Sequence, residues 1–385
     1  MFNENSWTMK KSCFVVAAFV SLFSISCNSP KNNETPEKSF RTVETEKLLN
    51  NLINIPSQVY LYGHHDDPVY GVGWSYEPNR SDVKDVCGDY PGLMTFDLGH
   101  IELGDSVNLD GVPFDLIRKE TVNQYKRGGV ISYSWHLNNP LTGGDSWDVS
   151  DSTVVASILK GGTNHEKFLT WLDKLSAFLN SLVTEDGVKV PIIFRPWHEH
   201  TGSWFWWGEK LCTVDQYKAL WTLTTDCLKA KGVDNVLFAY SPGSEANGVK
   251  EKYLERYPGD DLIDILGLDM YCYGDPKDPL TLSNYKQGLS LNLGMVCEIA
   301  SEHGKVAALT ETGFESIPVA EWWTSAFQAV CDSLPIAYAQ TWRNAHDKPG
   351  HFYGPYPGHP SSEEFIKFYN SPKSLFVNDL KNLYK

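Results

Sequence analysis

From Val59 onward, short apolar runs alternate with longer segments in which apolar residues recur at helical spacing. Eight runs read as strands. The first four are VYLYGHH from Val59, LMTFDLG from Leu93, GVISYSWH from Gly129 and VPIIFRPWHE from Val190. The others are NVLFAYSP from Asn235, DILGLDMY from Asp264, KVAALTETG from Lys305 and IAYAQTWRN from Ile336. Between them, Glu166 to Leu182 carries Phe168, Leu169, Leu172, Leu175, Leu179 and Leu182 on one helical face. Thr213 is placed to cap a helix that runs through Lys231 and stops at Gly232. Further helices are expected over Ser283–His303, ended by Gly304, and Val319–Ser333, ended by Pro335. A last one starts near Ser361, with Glu363 and Glu364 suited to its first turn. The tail from Pro372 is expected to pack on the base of the fold. Alternating βα units with eight strands predict an α/β chain folded as a (β/α)8 TIM barrel, a single catalytic domain over residues 47–385.

In such a barrel the C-terminal strand ends carry the chemistry. Several runs end in capable residues: His64 and His65, Asp97, Trp135 and His136, Ser241, Asp269 and Tyr271, and Trp342 with Arg343. The richest end is IIFRPWHEHTGSWFWWG, from Ile192 to Gly208. Arg195, His198, Glu199 and His200 follow an apolar strand and are interleaved with Trp197, Trp204, Phe205, Trp206 and Trp207. A carboxyl group among flat rings suggests a sugar site, with the rings as stacking surfaces. The second end is AALTETGFE, which places Glu311 at the end of the seventh strand. Glycoside hydrolysis needs two carboxyl groups, about 5–5.5 Å apart when configuration is retained. At that distance two negative charges repel, so the proton donor's pKa is expected to rise while the nucleophile stays ionised. The aromatic setting of Glu199 favours its neutral form, which makes it the acid/base and Glu311 the nucleophile. Two long polar loops, from Tyr62 to Tyr90 and from Leu137 to Gly162, are expected to shape a cleft, and His64, His65, Asp66, Asp67 and Trp74 to close one end of it.

Composition narrows the partners. The chain has 385 residues, 42% of them hydrophobic, and 13 tryptophans; its formal charge is −15. That charge, without a basic run, argues against nucleic acid and anionic membrane surfaces and allows a neutral polymer. The N-terminus reads as a targeting segment. Lys10 and Lys11 precede the apolar run CFVVAAFVSLFSI, which ends at a Ser-Ile-Ser-Cys box resembling that of bacterial lipoproteins. Residues 1–27 are read as the signal, Cys27 as the lipidated residue and 28–46 as a polar tether. The expected location is the bacterial envelope, on its periplasmic side because acidic residues are missing just after Cys27. The only membrane contact expected is that lipid. Of eight cysteines, six lie in the barrel region, at spacings that match no metal motif. Cys212 and Cys227 would stand about 22 Å apart along one helix, beyond disulfide reach. Buried thiols are expected.

RPWHEHTGSWFWWG and LTETGFE, in this order and on these strands, resemble the acid/base and nucleophile motifs of glycoside hydrolase family 26, whose members are mainly β-mannanases. The resemblance runs from about Val59 to Tyr369. Many related barrels carry Asn before the acid/base; His198 in that place favours this family. It implies a retaining endo-acting β-1,4-mannanase, with Glu199 as acid/base and Glu311 as nucleophile. It also implies that His136, Arg195, His198, Trp204, Tyr271 and Trp342 line the subsites around the cleaved bond. Tyr271 could hold the nucleophile ionised and Arg195 could orient it. Other readings are a β-glucanase or β-1,3-xylanase of the same family, an exo-acting mannobiose-releasing enzyme, or a non-catalytic glycan-binding lipoprotein, which would need neither glutamate. The His-Glu-His run follows a strand and is not the helical zinc-protease motif, and Gly71-Val72-Gly73 lacks the rest of a nucleotide fingerprint. No metal and no cofactor are expected; the partner is β-mannan or a manno-oligosaccharide, and the protein is expected to act as a monomer.

Overall fold

The computed structural model describes residues 39–55 and 59–385. The signal segment, Cys27 and most of the tether lie outside the described residues. Eight parallel strands form the barrel: β1 (Tyr60–His65), β2 (Leu93–Asp97), β3 (Val130–Ser134), β4 (Ile192–Arg195), β5 (Val236–Tyr240), β6 (Ile265–Tyr271), β7 (Val306–Gly313) and β8 (Tyr338–Thr341). Each pairs with the next, and β8 pairs back onto β1, which closes the barrel. All eight are the expected runs, because a strand buried on both faces reads as a near-continuous apolar stretch. The main surrounding helices are Phe114–Lys126, His165–Asn180, Val214–Ala230, Leu280–His303 and Ser362–Tyr369. Thr213 caps the third through a reciprocal bond pair with Gln216, and Gly304 ends the fourth in a left-handed conformation.

Three expectations need correcting. The segment read as one helix over Val319–Ser333 is a π-helical turn, Trp322–Gln328, followed by a short α-helical stretch, Ala329–Cys331. Its paired tryptophans pack edge-on to each other, and Trp322 stacks on Phe327. The end of the tether is also structured. Thr42 caps a helix over Val43–Ile53, and Arg41 holds Asp264 through two bonds of 2.7 Å. The compact unit therefore begins at Phe40 rather than at residue 47. This helix brings Leu48 and Leu52 against the lower barrel layer of Leu61, Leu93, Val130, Ile193 and Leu237. Tyr384 of the tail joins the same layer, and its hydroxyl donates to the Gly129 carbonyl. Lastly, β4 stops at Arg195 instead of continuing to Glu199.

The base is thus a plug of aliphatic side chains, while the polar atoms gather at the other end of the strands. All six cysteines among the described residues are free; Cys212, Cys272, Cys297 and Cys331 are buried, and Cys87 and Cys227 are half-buried.

Candidate active site

Beyond Arg195 the chain makes a turn that few sequences accept. Trp197 (φ 56°) and Glu199 (φ 51°) both adopt the left-handed conformation. For residues with a side chain this costs on the order of 1–3 kcal/mol each. The surroundings hold the turn by its backbone. Tyr217 Oη donates to the Trp197 carbonyl at 2.7 Å, Trp207 Nε1 donates to the His198 carbonyl at 2.8 Å, and Glu199 N–H donates to the Ser241 carbonyl at 2.8 Å. Of the rings following β4, Trp207 holds the turn directly, and it packs with three others. Trp197, Phe205, Trp206 and Trp207 are buried and packed on one another, so they are core and not stacking surfaces for a sugar. Trp204 alone of the five is exposed, at 41%. Its Nε1 donates to Glu199 Oε2 at 2.7 Å. Gly202 permits that pose, since a Cβ there would meet the Trp204 ring at 2.2 Å.

Glu311 is placed by a different device. Leu268 pairs with Leu309, but Asp269 pairs with Glu311, so Thr310 is an extra residue on β7. The same excess shows against β8. Such a bulge re-aims the side chains that follow it. Glu311, 5% exposed, receives Arg195 Nη2 on Oε2 and Tyr271 Oη on Oε1, both at 2.5 Å. The other arm of Arg195 donates to Asp269 Oδ2 at 2.6 Å, and Thr310 Oγ1 donates to Asp269 Oδ1 at 2.7 Å. Arg195 is therefore a buried cation shared between two carboxylates.

Among the described residues no cation bonds Glu199 in this way. Burial pushes its carboxyl well above the usual range, and the negative charges of Glu311 and Asp269 push it further; the Trp204 bond and Arg195 pull only partly back. For Asp269, burial likewise raises the pKa and Arg195 counters it. Beside Glu199 lies about 740 Å³ of open space lined by Trp204, Glu245, Asp269, Tyr271 and Tyr273, among others. One carboxyl clamped by a guanidinium and a phenol, and another with a raised pKa at the edge of an open groove, can perform two-carboxylate chemistry.

Comparison with known proteins establishes the family. The model of glycosyl hydrolase family 26 matches residues 38–317. The chain belongs to glycosyl hydrolase family 26. A mannan endo-1,4-β-mannosidase of Bifidobacterium adolescentis is 32% identical over 88% of this chain, and one of Bacillus subtilis is 27% identical over 70%. The matched region spans 35% of the length of the first and 74% of the second. Among solved structures, a family 26 β-mannanase from Bacteroides ovatus is 54% identical, with a TM-score of 0.87 over 90% of this chain and 98% of that one. An endo-β-1,4-mannanase of Cellulomonas fimi is 32% identical, with a TM-score of 0.81 over 90% of this chain and 78% of that one.

The remaining site residues of this family 26 chain fall as follows. His136 and His198 face each other, with Nε2 atoms 3.0 Å apart. His136 is also stacked on Trp147, which is 49% exposed. Trp342 is half-buried and stacks on His65 at 4.1 Å. The loop residues divide. His65 and Asp66 lie beside the site, but Trp74 is buried and donates to Asp82, and Asp67 accepts from Val83 N–H. Asp67 and Trp74 thus brace the loop and do not face a cleft. His64 is buried too, with Nδ1 3.1 Å from Thr341 Oγ1. His200 points away from the site, between Tyr217 and Tyr240.

Asp97, Asp269 and Arg343 were read from sequence only as chemically capable strand ends, without a role at the site, and Trp147, Tyr273 and Asp110 were not singled out. Asp97 and Asp269 had a usable signal, a carboxylate ending an apolar strand. The loop residues had none, because nothing local fixes where a long loop folds back. His65, Asp66 and Asp110 bring possible metal-ligating atoms within 4.8 Å of one another. Tyr70 Oη donates to Asp66 Oδ2 at 2.5 Å and Arg343 Nη2 lies 3.0 Å from Asp110, while His65 Nε2 and Asp66 Oδ1 have no hydrogen-bond partner among the described residues.

Proposed function

We propose that this protein is a retaining β-1,4-mannanase that cleaves internal mannosidic bonds by double displacement. The observation that carries the reading is the contrast between the two glutamates. Glu311 is held by Arg195 and Tyr271. Glu199 has its pKa raised by burial and by the Glu311 charge, at the edge of the groove. Glu311 attacks the anomeric carbon as the glycosidic bond breaks, and Glu199 gives its proton to the leaving oxygen. The product is a glycosyl ester on Glu311. Glu199, now a carboxylate, takes a proton from water as the water oxygen attacks the same carbon and releases Glu311. Trp204 and Trp342 offer faces to sugar rings, and His136 and His198 meet hydroxyls near the cleaved bond. The printed names of the relatives, mannan endo-1,4-β-mannosidases among them, support mannan as the substrate. The lipid tether at Cys27, the periplasmic location and the monomeric state remain part of the same proposal.

The test is chromatography of products from linear and branched mannans over time. A ladder of mixed manno-oligosaccharides that shortens with time is expected. Mannobiose as sole product from the first minutes would replace internal cleavage by end-wise release. Turnover of β-glucan or β-1,3-xylan with mannan untouched would overturn the substrate.

A further inference from the structure

Asp97 ends β2 and has no role in the reaction above. It is fully buried, yet four donors converge on its carboxylate. Gly99 N–H (2.6 Å) and His136 N–H (3.2 Å) reach Oδ1; Ser134 Oγ (2.6 Å) and His136 Nδ1 (2.7 Å) reach Oδ2. Burial alone would raise the pKa of this carboxyl, but the His136 ring and these bonds hold it well below the usual range. An ionised carboxylate only accepts, so His136 carries a proton on Nδ1.

The next link is the 3.0 Å contact between His136 Nε2 and His198 Nε2. One of these nitrogens bears the hydrogen and the other a lone pair. The far end of the chain decides which. His198 Nδ1 is buried and has no hydrogen-bond partner among the described residues. A bare lone pair is tolerated there better than an orphaned N–H. Burial first, then Arg195 and His136, also keep His198 neutral. Its single proton therefore sits on Nε2, aimed at the Nε2 lone pair of His136. Asp97 at one end and the unpartnered Nδ1 at the other call for the same direction of hydrogen bonding.

We propose that Asp97 is a positioning residue that, through His136, fixes the tautomers of both histidines. The pair then holds one donor, His198 Nε2–H, beside one acceptor, the His136 Nε2 lone pair. A single hydroxyl, which accepts and donates at once, is the complement of that pair when it comes between the two nitrogens and replaces their mutual bond. The inference rests on reading the groove as a sugar site and adds what sets its hydroxyl recognition. Asp97→Asn inverts the chain. The new amide donates to His136 Nδ1, the His136 proton moves to Nε2, and the His198 proton is driven to Nδ1, where nothing accepts it.

The experiment is long-range ¹⁵N–¹H correlation NMR of the full chain labelled at its histidines, at neutral pH. In the wild type, His136 is expected to be protonated on Nδ1 alone and His198 on Nε2 alone. Asp97→Asn is expected to move the His136 proton to Nε2. A wild-type His198 protonated on Nδ1, a doubly protonated His136, or unchanged tautomers in Asp97→Asn would each overturn the proposal. If that variant does not fold, the wild-type spectrum decides alone. In kinetics, Asp97→Asn is expected to lower kcat/KM on manno-oligosaccharides at least about tenfold, since a wrong tautomer disables a site whose geometry is intact. Ser134→Ala removes a donor to the same carboxylate but keeps the His136 bond, and is expected to stay within about threefold. Equal losses in the two variants would make Asp97 merely structural. A wild type inactive on every mannan would remove the substrate reading, while the spectra would still judge the tautomers.

Discussion

The ends of β4 and β7 each bring a glutamate within electrostatic reach of the other, and the barrel treats the two in opposite ways. Glu311 follows a bulge and is met by a guanidinium and a phenol. Glu199 follows a left-handed turn and is met by one indole N–H. The same side-chain chemistry thus acquires two characters from its neighbours. Glu311 is clamped by charge-assisted bonds, while burial beside other carboxylates raises the pKa of Glu199. The proposed roles of nucleophile and acid rest on that difference, more than on the presence of two acids.

Breaking the β7 side should cost most. Glu311→Ala is expected to lower kcat on mannan by about 10⁴-fold or more, as removal of a catalytic nucleophile does. Glu199→Ala is expected to lose about 10²–10⁴-fold on mannan. With an activated aryl leaving group, which needs little protonation, its first step should be largely spared. Equal losses on both substrates would deny Glu199 the role of acid. Tyr271→Phe removes one bond to Glu311, and a hydrogen bond to a charged group is worth about 1.5–3 kcal/mol. A fall of kcat/KM by about 10- to 100-fold is expected.

The smallest effects are shifts in the pH profile, and they have opposite signs. In the proposed mechanism Glu199 is protonated for the first step, so activity is expected to fall as pH rises through its raised pKa. Trp204→Phe keeps an aromatic ring but removes the bond that stabilises the Glu199 carboxylate. Its pKa rises and the alkaline limb moves to higher pH. Asp269→Asn removes a negative charge that disfavours the same carboxylate, so the limb moves to lower pH. Rate profiles of the two variants on a soluble mannan would check both signs, and a shift of both in one direction would refute the electrostatic picture.

The difference between the two ends also explains what the sequence revealed. The strands were legible because burial on both faces leaves long apolar runs, and Glu199 and Glu311 stood out as charges ending such runs. Tyr271 and Arg195 were expected beside Glu311 and lie there. The bulge at Thr310 was not legible, since an extra residue shows only in the register against β6 and β8. Nor was the turn at Trp197 and Glu199, because its support comes from distant groups, Tyr217 and Ser241. Aromatic abundance after β4 pointed the wrong way for four rings of five. A side chain that braces a strained turn and one that stacks on a sugar look alike in sequence.

The most direct measurement is covalent trapping with a 2-deoxy-2-fluoro manno-oligosaccharide bearing a good leaving group, followed by peptide mass spectrometry. One glycosyl unit is expected on the peptide that contains Glu311, with Glu199 unlabelled. A label on Glu199, or steady turnover of the reagent with no ester formed on either residue, would contradict the assignment.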